Sequence, residues 1–142
     1  MIAALLLAAA LAQAPDAPMA PTSDTWDALP PVQFRRAELD TVALARFVRA
    51  EVEAGRCAAA VTDDAGSTRL RVPLAALVAP DGRVRRLVPA AIGCPTVEQF
   101  TVGVIGRLAA DNVAEPWPEA DRWLRTGLTY SWTTAAPAQA PR

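Results

Sequence analysis

The chain has 142 residues, 14 basic and 15 acidic side chains and a formal net charge of −1, so it has room for one modest domain and lacks the basic surplus of a nucleic-acid or anionic-membrane binder. It contains no histidine and two cysteines, which removes the usual general base, the Ser-His and Cys-His nucleophile pairs and the commonest zinc ligand, and leaves too few thiolates for a metal site. The expectation is a non-catalytic protein without metal or cofactor, and without a nucleic-acid partner.

Ile2 to Leu11 is an unbroken run of Ile, Leu and Ala, followed by Ala12-Gln13-Ala14 and then prolines. As a helix the run rises about 15 Å, half of the ~30 Å hydrocarbon core, so it reads as a secretory signal peptide over residues 1–12, cleaved after Ala12, and not as a transmembrane span. No cysteine follows the run to carry a lipid anchor. Residues 13–33 are rich in Pro, Ala and Asp and read as a semi-rigid disordered linker. Trp26 is its exception, either docked in a groove of the domain or mobile in solvent.

The domain is expected over residues 34–133. Between Ala37 and Ala54, Leu44, Phe47, Val48 and Val52 recur at three- and four-residue steps, the period of an amphipathic helix. Asp40 is the expected N-cap and Gly55 suits the left-handed position just past the end. Arg35 and Arg36, at the helix entry, read as solvated. Cys57 follows at once, and Cys94 lies just beyond the next element. In an oxidising compartment two such cysteines are expected to pair. A redox-active pair is disfavoured because there is no Cys-x-x-Cys spacing.

Ser67 to Pro89 is the clearest element. Two apolar-rich runs flank Pro80-Asp81-Gly82, where Pro presets φ and Gly accepts a positive φ, so the stretch reads as a β-hairpin. Leu70, Val72, Leu74, Ala76 and Val78 alternate with Arg69, Arg71, Pro73, Ala75 and Leu77; one face is buried, and the other begins wet and ends apolar. Pro73 lacks a ladder donor and is expected to face an unpaired side or a bulge. Arg83, Arg85 and Arg86 on the return strand read as solvent-facing charges that deter edge pairing, with an anion site as the alternative.

Gly93-Cys94-Pro95-Thr96 opens a second helix with a proline in its first turn and a Thr96/Gln99 capping box; Val97, Phe100, Val104, Ile105 and Leu108 mark its apolar face. Gly103 and Gly106 each weaken it by about 1 kcal/mol relative to Ala and invite close approach to the sheet. After Trp117-Pro118, Leu128, Tyr130 and Trp132 alternate with Thr129 and Ser131, the pattern of a last strand with an aromatic face. Glu115, Glu119 and Asp121 read as solvated loop charges with no partner for acid–base work. Residues 134–142 read as a disordered Ala/Pro tail.

Taken in order, the strand Leu70 to Val78, the turn Pro80 to Val84 (PDGRV), GCPTVEQ at the second helix, Trp117-Pro118 and the closing LTYSW at Leu128 to Trp132 resemble the TonB C-terminal domain family of Gram-negative periplasmic proteins. The resemblance covers about Cys57 to Trp132. It implies an α+β fold, a three-stranded antiparallel sheet with two helices packed on one face in the order α-β-β-α-β. It also implies a periplasmic module that binds an envelope or outer-membrane protein segment by edge-strand addition, with Leu128, Thr129, Tyr130, Ser131 and Trp132 as the receiving edge. Energy-transducing members of the family have a full transmembrane anchor and a long Pro-rich spacer. The pattern here, a cleaved signal and a short linker with no transmembrane anchor after cleavage, leads to the expectation of binding without force transmission. The alternative is a structural envelope subunit or a homodimer through the same edge.

Overall fold

The computed structural model describes residues 17–134; the signal-peptide stretch 1–12, the first linker residues and the tail from 135 lie outside the described residues. The fold is α+β, built in the order of a short 3-10 helix Ser23–Ala28, α1 Thr41–Glu53, β1 Val61–Thr62, β2 Ser67–Val78, β3 Val84–Pro89, α2 Pro95–Ala109 and β4 Arg122–Thr133. The antiparallel sheet has four strands, one more than the expected three. The addition is the two-residue β1, which pairs with Thr68 and Arg69 at the start of β2 and is too short to leave an alternating pattern in sequence.

β2 is the central strand. β4 pairs with its whole length in one continuous register, from Ser67 opposite Thr133 to Val78 opposite Arg122, while β1 and β3 share its other side, β3 holding Leu74 to Val78. Pro73 fits this division as its chemistry requires. Its carbonyl accepts from Ala90 N, so its nitrogen faces the side where β3 has just ended at Pro89 and a missing donor breaks no ladder bond.

Even-numbered residues of β2 point to the helices. Leu70, Val72 and Leu74 pack with Val48 of α1 and Val97 and Ile105 of α2, each buried aliphatic side chain stabilising the fold by roughly 1.5 to 3 kcal/mol. Ala76 and Val78 continue the same face toward Ala109 and Val113. Asp40 caps α1 as expected, its carboxylate accepting from Ala43 N at 3.0 Å, and Gly55 has φ 75° just past the helix; α1 starts at Thr41, directly after that cap. α2 opens differently from expectation. Cys94 is its N-cap position, so Thr96 already lies inside the helix and the Thr96/Gln99 box does not form. Glu98 instead accepts from Ile92 N and Cys94 N, tying the entering loop and the N-cap residue to the first turn of the helix.

The hairpin turn is clamped from outside. Gly82 has φ 79°, and a Cβ there would lie 2.5 Å from the Trp117 indole, so only glycine fits both the turn and the ring stacked on it. The Trp117-Pro118 step therefore holds PDG in place, with the indole N–H donating to Val113 O. Of the two helix glycines, Gly106 faces Leu87 of β3 at ordinary contact distance, whereas Gly103 meets only the Arg107 side chain.

The linker reading fails from residue 17 onward. Trp26 is buried, forming with Ala75, Leu77 and Trp123 a third apolar cluster on the sheet face opposite the helices. Its indole N–H donates to Pro21 O, and that of Trp123 donates to Pro18 O. The apolar half of the second β2 face is thus explained: Ala75 and Leu77 are covered by the chain's own N-terminal segment. Composition misread this segment because its fold depends on two distant tryptophans and not on its own periodicity.

Candidate functional site

The last strand begins at Arg122, six residues before the segment expected from sequence, because Gly127 interrupts the apolar alternation. Gly127 lies opposite Pro73 with φ 152°, and a Cβ at this position would sit 2.5 Å from Val72 O. β4 therefore passes close against β2 there without losing register.

The outer side of β4 has two halves. In the first, Arg125 N donates to Pro30 O and Val32 N donates to Arg125 O, both at 2.8 Å, and Pro31 forms a parallel bridge with Arg125. The chain's own segment 30–32 thus already occupies the edge as an added strand. It then leaves β4: Ala114 N donates to Gln33 O and Arg35 N to Asn112 O, while the buried Asn112 side chain bonds Arg36 N, Arg36 O and Leu108 O.

Beyond that departure the edge is open. Since both backbone groups of Arg125 point outward and the register is unbroken, the two-residue alternation of a strand turns those of Gly127, Thr129, Ser131 and Thr133 outward as well. Thr134 N, of the opposite parity, bonds inward to Gly66 O, as this alternation demands. Among the described residues no backbone group pairs with the edge from Gly127 to Thr133.

Of the five residues expected to form the receiving edge, Thr129 and Ser131 present outward backbone groups and exposed side chains. Leu128, Tyr130 and Trp132 bond inward to β2 and turn their side chains toward the helices. Tyr130 is buried, its ring 6.3 Å from that of Phe100, which in turn stacks 4.5 Å from Phe47. The Thr101 hydroxyl donates to Val97 O, so it accepts from the Tyr130 O–H at 2.8 Å. Burial raises the Tyr130 pKa, the Thr101 hydrogen bond opposing it. Tyr130 is thus a core residue of an edge strand; Leu128 and Trp132 are half-buried at the rim.

A cleft of about 340 Å³ lies where the N-terminal segment parts from β4, lined by Val32, Phe34, Asp27, Arg71 and the stretch Thr126 to Thr129. Arg71 and Arg69 are exposed on the open sheet face, directly opposite Thr129 and Ser131. Arg71 meets Asp27 at 3.7 Å with both side chains largely in solvent.

Cys57 and Cys94 are bonded to each other, with both residues buried. Such a bond belongs to a non-reducing compartment, and among the described residues no helix is long and apolar enough to cross a membrane. Beside the disulfide lies a group that periodicity did not mark. Glu51 is buried at the end of α1, accepting two bonds from Arg56, at 2.9 and 2.8 Å, and one from Thr96 at 2.7 Å. The Arg56 hydrogen bonds, then that from Thr96, hold its pKa down from 4.5 to about 2. The Glu51-x₄-Arg56-Cys57 and Cys94-Pro95-Thr96 spacing is the only trace of this network in sequence.

The other polar sets are dispersed. Glu115 and Glu119 are exposed, and Asp121 lies 3.4 Å from Arg85. Arg83 lies 3.7 Å from Asp81. No family model, no curated protein and no solved structure matches the chain.

Proposed function

We propose that the protein is an exported, non-catalytic, TonB C-terminal-like binding module of the periplasm that recruits an extended segment of an envelope protein to the open half of β4. The observation that carries this reading is the added strand already in place. Segment 30–32 bonds the outward N–H and C=O of Arg125, and among the described residues the same row continues unpaired through Gly127, Thr129, Ser131 and Thr133. In β-augmentation such main-chain bonds supply affinity and the alternating side chains supply selectivity. The sequence resemblance adds the location and the kind of partner, and the disulfide agrees with export.

The test is backbone NMR of the oxidised protein with peptides from periplasm-facing segments of envelope proteins, comparing wild type with Thr129→Pro. Proline at Thr129 removes an outward donor and no internal bond, so the fold is expected to survive. Binding should shift amides from Gly127 to Thr133 in the wild type and vanish in the variant. Saturating peptides that leave those amides unmoved would refute the reading.

A further inference from the structure

We infer that the open half of β4 selects an extended segment alternating acidic with apolar residues, its carboxylates read by Arg69 and Arg71; this inference rests on the edge-strand reading above. A guest strand would lie about 5 Å beyond β4 and about 10 Å from β2. What stands between it and the β2 arginines on the open face is a Thr and a Ser: Arg71 is paired across with Thr129, and Arg69 with Ser131. Both are short, so neither blocks a long guanidinium side chain from reaching a guest residue on the same face. The arginines are exposed, and the apolar cluster that covers this face of β2 takes in Ala75 and Leu77 and neither arginine.

The cleft supports the same chemistry independently. Arg71 lines it together with Leu128 and Thr129 of the edge and with Asp27 of the N-terminal segment. The segment that fills the first half of the edge thus also delivers a carboxylate to Arg71. The contact is long, 3.7 Å, between side chains 65% and 88% exposed, which makes it weak and readily exchanged for another carboxylate. Guest residues of the opposite parity would fall on the helix side, beside the half-buried Leu128 and Trp132, where apolar side chains complete the rim.

The experiment uses two short acetylated peptides, one alternating glutamate with valine and one with glutamine in place of each glutamate. Their binding to the oxidised protein is followed by anisotropy at low and high salt and by amide shifts. Both are expected to shift the Gly127 to Thr133 amides, with the glutamate peptide binding ~5-fold tighter at low salt and losing that advantage at high salt. The Arg69→Gln/Arg71→Gln double variant should erase the difference between the two peptides. Equal affinity of the two peptides for wild type, with the edge shifts intact, overturns the acidic guest while leaving edge addition standing. No shift with either peptide overturns both. A concentration-dependent dimer that protects the same amides without peptide identifies the occupant as a second copy and also overturns the inference.

Discussion

The two ends of the sheet share a helix-side core and differ in what is added to it. At the Leu74–Val78 end, β2 is buried on both faces, flanked by β3 and by Arg122–Thr126 of β4, and its second face and outer edge are sealed by residues 17–32. At the Ser67–Val72 end only the helix face is covered; Arg69 and Arg71 stand in solvent and the β4 edge is bare among the described residues. The second end keeps its order by cross-links placed behind it: the Cys57–Cys94 bond, the Glu51 network and the Tyr130–Thr101 hydrogen bond. Both ends share the apolar core on the helix face; the first adds a second apolar layer on the opposite face, and the second adds discrete ties. A bare edge forgoes burial, so stability there has to come from the covered side. β3 offers a contrasting edge: it has six residues, carries Arg85 and Arg86 and ends at Pro89, features that discourage strand addition.

The comparison is broken most directly by removing the seal. Trp26→Ala should cost about 3 to 5 kcal/mol, the range for deleting a buried aromatic, as read by urea unfolding. Amide exchange should show Arg125 losing protection while the Leu70–Val72 core keeps its own until global unfolding. If stability is unchanged, the N-terminal segment is ornamental and the first end is as open as the second. Removing the covalent tie is expected to be nearly as costly. Cys57 and Cys94 are separated by 37 residues, and constraining a loop of that length stabilises by roughly 3 to 4 kcal/mol on the chain-entropy model. The Cys57→Ala/Cys94→Ala protein should therefore unfold at markedly lower urea, and its loss should concentrate at the Ser67–Val72 end.

A lesser tie sharpens the same contrast. Tyr130→Phe keeps the ring in the core and removes only its O–H, leaving Thr101 still donating to Val97 O. A loss of about 1 kcal/mol is expected. A neutral result would mean that the aromatic packing against Phe100 alone holds the edge strand down.

How much of this was legible follows from the same division. Local signals carried the hairpin turn, the Asp40 cap, the alternation of β2 and the aromatic alternation of Leu128, Tyr130 and Trp132, because each depends on residues within a few positions of one another. The seal was not legible: Trp26 and Trp123 are far apart in the chain, and a Pro/Ala-rich stretch around a single aromatic has no period to read. The first half of β4 was missed for a related reason, since Arg122 to Thr126 borrows its partners from β2 and from residues 30–32. Of the candidate site, the edge was anticipated, but which residues offer backbone and which offer side chains required the register. Glu51 has no mark of its own in the helix period, and its partners Arg56 and Thr96 come from outside that helix.

That carboxylate supports the smallest expected effect, one confined to acid. Hydrogen bonds from Arg56 and Thr96 lower its pKa in the fold to about 2 from 4.5, so the charged form is favoured in the native state. The stabilisation is therefore complete above the unfolded value of 4.5 and is lost as pH falls through that range toward 2. Wild type should lose melting temperature between pH 4.5 and 2 more steeply than Glu51→Gln, whose side chain does not titrate. Equal slopes would mean that the network contributes nothing to holding α1 against α2. The disulfide sharpens the measurement, because Cys57 follows Arg56 directly and Cys94 lies two residues before Thr96. The pKa of about 2 is that of the protein with this bond closed, so the slope difference belongs to the oxidised protein and is read there. In the Cys57→Ala/Cys94→Ala background, a smaller difference would show that the disulfide helps to place Arg56 and Thr96 around the carboxylate, since neighbouring ties are not additive.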